Sequence, residues 1–173
     1  MDHQAFAQLL GNYGEFIGAI VIVVTVAYLA LQVRYAKQAT IDQNILSRAR
    51  GVQEHMLAVS QNEQLRMNMV DDFELRDFYQ ALASSRGVTI EQASQTDWSN
   101  AYWFWVHWGQ WKTTHDEKSL AELKHVIRYY YSVPSMLRTW EQSPWGKRLM
   151  DEEFVEFVDS VLSEQDPKQE SEL

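Results

Sequence analysis

The sequence predicts an all-α protein: a single N-terminal transmembrane helix that continues into a cytoplasmic helical bundle. Three observations carry this. Residues 16–33, FIGAIVIVVTVAYLALQV, hold no charged side chain and are bracketed by Glu15 and Arg34. The 173 residues contain only seven Gly and three Pro, too few for the turns of a sandwich or barrel. Elsewhere apolar residues return every three to five positions and never alternate strictly, which is the helical period.

Four segments follow: an extracytoplasmic start at 1–13, the span at 14–34, a cytoplasmic domain at 35–162 and a disordered acidic tail at 163–173. HQAFAQLL, before Gly11, reads as a short amphipathic helix at the membrane surface or a frayed end. The uncharged run rises about 27 Å as a helix, close to the hydrocarbon thickness of a bilayer. A helix satisfies its own backbone hydrogen bonds in lipid, so it can cross alone. A cleaved signal would want a basic start and small residues at its end, and neither is present. A buried core helix is the other reading, though such helices are normally shorter or broken by polar residues. Arg34, Lys37, Arg48 and Arg50 follow the run against one nearby acid, Asp42, and no basic side chain precedes it. The positive-inside rule then puts the N-terminus outside and the domain in the cytoplasm, at a plasma membrane.

Past Arg34 the helical pattern continues without Pro, with apolar residues at Ala36, Ile41, Ile45, Ala49, Val52, Met56 and Val59. Asn62 reads as the next N-cap, and Leu65, Met69, Phe73, Phe78 and Leu82 form a stripe that Asp71 and Asp72 divide into two helices. Gly87 suits the left-handed C′ position that ends the second. Thr89-x-x-Gln92 is a capping box opening a helix to about His115, and Ser119-x-x-Glu122 is a second box opening the next. Pro134 starts a further helix, SPWGK is a turn, and Asp151 caps the last helix. The tail from Ser163 has no apolar content to bury.

The run GEFIGAIVIVVTVAYLALQVRYAKQAT and the later SVPSMLRTWEQSPWGKRLMDEEFVEFVDSVL together resemble a group of small bacterial inner-membrane proteins of unknown function. The shared features are a span ending on Leu29, Gln32 and Arg34, a Trp/Tyr-rich helix at 98–111, and a closing helix with Phe154, Phe157 and Val158. The resemblance implies an architecture and brings no activity with it.

Composition narrows the function classes. A net charge of −9 with no basic face argues against nucleic acid. No Cys is present, which excludes a disulfide, a thiolate metal site and a Cys nucleophile. Seven Trp, eight Tyr and seven Phe are enough for a small domain to bury a core.

Two features are candidate sites. Gly14, Gly18, Val21, Thr25, Tyr28 and Gln32 share one face of the span. Small residues allow close helix approach in lipid and polar ones bond across, so this face predicts self-association. Plain lipid exposure and a pore-lining seam are the alternatives. Trp98, Tyr102, Trp105 and Trp108 share a face of the aromatic helix, with His107 among them and Trp103 and Trp111 pointing elsewhere. Aromatics all round a helix predict a position in the middle of a bundle; an interaction surface or ligand pocket is the alternative. Glu122-x-x-His125 has di-metal spacing but lacks the second pair such a site needs, and Asp71, Asp72 and Glu74 read as a solvated loop. We expect no cofactor, no metal and no catalysis, since no constellation has complementary roles. The reading is a membrane-anchored protein acting by protein–protein interaction, its partners the lipid bilayer, a second copy of itself, and a membrane or cytoplasmic protein. A channel subunit, or a membrane-tethered ligand sensor or enzyme, are the alternatives.

Overall fold

The computed structural model describes residues 3–164, with side chains from Tyr13 onward. The described chain is helical throughout: α1 (His3–Gln61), α2 (Glu63–Asp72), α3 (Arg76–Arg86), α4 (Ile90–Thr113), α5 (Glu117–Tyr131), α6 (Pro134–Gln142), a 3-10 turn (Lys147–Leu149) and α7 (Glu152–Ser163). Among the described residues there is no strand. The chain divides into two compact units between Gln43 and Asn44, so α1 belongs to both.

The first unit is a lone stretch of α1. One window of this helix is long and apolar enough to cross a membrane, and none of that window is buried against the rest of the chain. The expected short helix before Gly11 is not separate, because α1 already begins at His3. Gly11 and Gly14 each cost a helix only about 1 kcal/mol, and no Pro is present to stop it. The amphipathic character expected of that segment lies outside the described side chains. The expected domain start at 35 also lies nine residues before the second unit, which begins at Asn44. Ala36 and Ile41 of the expected stripe stay exposed, whereas Ala49, Met56 and Val59 are buried.

In the second unit α4 is central, packing against α2, α3, α5 and α6, while α5 also packs on α6 and α7. Ala93, Trp98, Ala101 and Phe104 of α4 are buried. Gly109 lets α1 come close: a Cβ there would lie 3.2 Å from that of Ala49. Around α4 the core is completed by Tyr79 and Ala83 of α3, Ile127 and Tyr131 of α5, Trp140 of α6, and Phe154, Val158 and Val161 of α7.

Most helix ends follow the cap chemistry. Asn62 Oδ1 accepts from the Leu65 N–H at 3.0 Å, and Thr89 and Gln92 close a reciprocal capping box. Gly87 sits at φ 64°, Pro134 occupies the first turn of α6, and Asp151 accepts from the Phe154 N–H at 3.0 Å. The second capping box does not form. The Asp116 carboxylate accepts from the Ser119 N–H at 2.8 Å, so α5 starts at Glu117 and Ser119 lies inside its first turn. An ionised oxygen facing the positive end of a helix is the better acceptor, and it takes the start three residues earlier. The tail boundary also moves: α7 includes Ser163, and Glu164 pairs with Arg128 at 2.9 Å and Lys124 at 3.5 Å. Residues 165–173 of the expected tail lie outside the described residues.

The stripe expected on α2 and α3 is displaced by one position. Leu65 and Phe73 are exposed, and the buried positions are Arg66, Val70, Tyr79 and Ala83. Arg66 is the reason. Its Nη1 donates to the Ser60 carbonyl at 2.7 Å and the Val59 carbonyl at 3.3 Å, and its Nε donates to Ser94 Oγ at 3.1 Å. The last carbonyls of a helix have no partner within it, and here a guanidinium from the next helix supplies one. Burial lowers the pKa of Arg66, against which Glu63 and Glu91 act.

Candidate functional site

On the first unit, Gly14, Gly18, Val21, Thr25, Tyr28 and Gln32 lie on one exposed face of α1, Gly18 alone being half-covered. A Cβ added at Gly14 or Gly18 would meet nothing within 4 Å. The polar members each make a bond within the helix. Thr25 Oγ1 donates to the Val21 carbonyl at 2.7 Å, and Gln32 Nε2 donates to the Tyr28 hydroxyl oxygen at 2.6 Å. Gln32 and Tyr28, one helical turn apart, thus bond to each other within α1. In lipid such closure removes much of the cost of carrying polar groups.

In the second unit the five aromatic-helix residues fall into three surroundings. Trp98 is buried against Trp145, ring centroids 4.3 Å apart, and beside His55. Trp105 and Trp108 pack edge to face at 5.3 Å, and Trp108 Nε1 donates to Asp151 Oδ2 at 2.7 Å. His107 is buried among Trp103, Tyr130 and Tyr131, with half-buried Tyr102 packing on Trp103. Trp111 points away, onto Phe154 and Phe157. Desolvation alone lowers the His107 pKa from 6.5 to about 4, so the imidazole is neutral.

The sequence reading missed the polar centre of the bundle. Asp97 is 2% exposed. Its Oδ2 accepts from the Tyr79 hydroxyl at 2.9 Å and from the Ser143 hydroxyl. Trp145 Nε1 donates to the Tyr79 oxygen at 2.8 Å, and the Trp145 N–H to Ser143 Oγ at 3.0 Å. Asn100 Nδ2 donates to Thr139 Oγ1 at 2.9 Å nearby. Burial raises the Asp97 pKa, against the hydrogen bonds from Ser143 and Tyr79. Burial also raises the Tyr79 pKa, and the neighbouring Asp97 adds to the rise. This network ties α3, α4 and the turn after α6. One signal was legible: Ser94 and Asp97 sit at the spacing of Ala93, Trp98 and Ala101, as polar residues on an otherwise apolar face.

The remaining candidates read as structure. Asp71 makes a two-point contact with Arg76 at 2.8 Å on each oxygen, so the acidic loop has a protein counter-ion. Glu122 lies 4.0 Å from Lys118, and both it and His125 are exposed. Among the described residues no group of three or more His, Asp or Glu is placed to hold a metal. A cleft of about 270 Å³ opens between α4 and α5, lined by Gln110, Thr114, Ser119, Glu122, Leu123 and Val126. Compared with protein-family models, with curated proteins and with solved structures, the chain gives no match.

Proposed function

We propose that the protein is a single-pass membrane protein whose helical bundle faces the cytoplasm and acts through protein contacts, self-association among them. One observation supports this above the rest: α1 carries an uncharged run, and none of its span-length window is covered by its own chain. In water that surface would be a large apolar liability, and lipid is the solvent that suits it. The basic residues Arg34, Lys37, Arg48 and Arg50 after the run argue for a cytoplasmic bundle. The open face at Gly14 and Gly18 favours a second copy as a partner, because small residues let helix backbones approach.

The test has two parts. Membrane fractionation with alkaline extraction is expected to leave the parent chain in the pellet. Val24→Arg, which costs about 3 kcal/mol at a helix centre in lipid, is expected to release it. Light scattering in mild detergent is then expected to give more than one copy per particle for the parent and fewer for Gly18→Leu. A chain that is soluble without detergent sinks the anchor, and a parent that is monomeric in detergent sinks the self-association alone.

A further inference from the structure

Two side chains at the α4–α5 contact hold polar atoms with nothing to bond. His107 is 1% exposed and Tyr131 0%. Among the described residues, His107 Nδ1 and the Tyr131 hydroxyl are buried without a hydrogen-bond partner. The two rings are neighbours, centroids 5.8 Å apart. Their other surroundings are aromatic: Phe104 and Trp140 against Tyr131, Trp103 and Tyr130 against His107. Half-buried Trp103 and Tyr130 pack on one another at 4.9 Å.

A buried polar atom left unbonded costs at least as much as an ordinary hydrogen bond contributes, and a folded chain rarely carries two side by side. Whatever satisfies these two must be small, because the rings are near neighbours. It must be uncharged, because neither an imidazole that stays neutral nor a phenol can balance a charge here. It must both donate and accept, because a phenol donates most readily and a neutral ring nitrogen accepts or donates according to tautomer. We propose that His107 and Tyr131 bind one water molecule between them, beneath the Trp103–Tyr130 pair. The phenol donates to the water oxygen, and the water completes the bond to Nδ1. Buried waters of this kind are part of a fold, bridging groups that cannot reach each other.

The sign of one substitution separates this site from a merely unsatisfied pair. Removing an orphan hydroxyl relieves a penalty, whereas removing a bridged one breaks a bond and strands its neighbour. Urea unfolding of the full chain in detergent would compare Tyr131→Phe, His107→Phe and the double variant. Tyr131→Phe is expected to lower the folding constant about tenfold, and the double variant to lose markedly less than the product of the singles. A Tyr131→Phe protein as stable as the parent or more so, or single effects that simply multiply, would overturn the site. A crystal structure then decides the guest. An ordered oxygen within hydrogen-bond distance of both atoms supports the water, and a direct contact between phenol and imidazole overturns it.

Discussion

Gly146 shows how much a single atom decides. A Cβ there would lie 2.5 Å from the Trp140 carbonyl oxygen and closer still to that of Thr139. Both obstacles are backbone, so neither can rotate away. Gly146→Ala is expected to cost about 3 kcal/mol or more in chemical denaturation, the upper range for overpacking. The two buried titratable groups pull stability in opposite directions with pH. The His107 pKa falls from 6.5 to about 4 on folding, so the unfolded chain binds that proton more tightly. Stability is therefore lost as pH falls through that window, by about 3 kcal/mol when complete. Asp97 is raised by burial, so the folded chain binds its proton more tightly, and its contribution is lost as pH rises from the ordinary carboxylate range through the raised value. Denaturation midpoints across pH 4–6.5 are expected to flatten in His107→Gln on the acid side. Asp97→Asn is expected to remove the opposing trend.

Among the elements, α5 was misplaced for an instructive reason. Ser119-x-x-Glu122 satisfies the capping-box pattern, but the pattern also occurs by chance inside a first turn, and Asp116 is the residue that bonds the free N–H. Asp116→Ala is expected to lower stability by about 1 kcal/mol, and Ser119→Ala to leave it within a few tenths. Equal losses would return the cap to Ser119. On α2 and α3 the apolar stripe in the sequence lies at the rim and Arg66 lies inside. Hydrophobicity alone would never choose Arg for that place. It goes there because α1 ends nearby, with the Val59 and Ser60 carbonyls unbonded until Arg66 reaches them.

At the scale of the molecule, α1 is one helix shared by two compact units. Its residues from Ala49 onward carry core positions of the second unit, while residues 35–43 are exposed but for half-buried Asp42. Helical hydrogen bonds without tertiary cover open easily in water and rarely open in lipid. Amide exchange on the protein in lipid nanodiscs is therefore expected to be slow over 16–33, fast over 35–43 and slow again from 49 to 60. Equal exchange over the first two stretches would count against a span.

Taken alone, the sequence determined the helical class, the uncharged run and most helix ends, because these depend on period and on caps within a few residues. Asn62, Gly87, Thr89, Pro134 and Asp151 all act where local chemistry placed them. Only the tertiary structure decided that Asp97 meets Tyr79 and Ser143, that Arg66 closes α1, and that Trp98 and His107 have different neighbours. Those partners come from separate helices. Which polar atom is buried beside which is set by how the helices pack, and the spacing along any one of them carries no record of it.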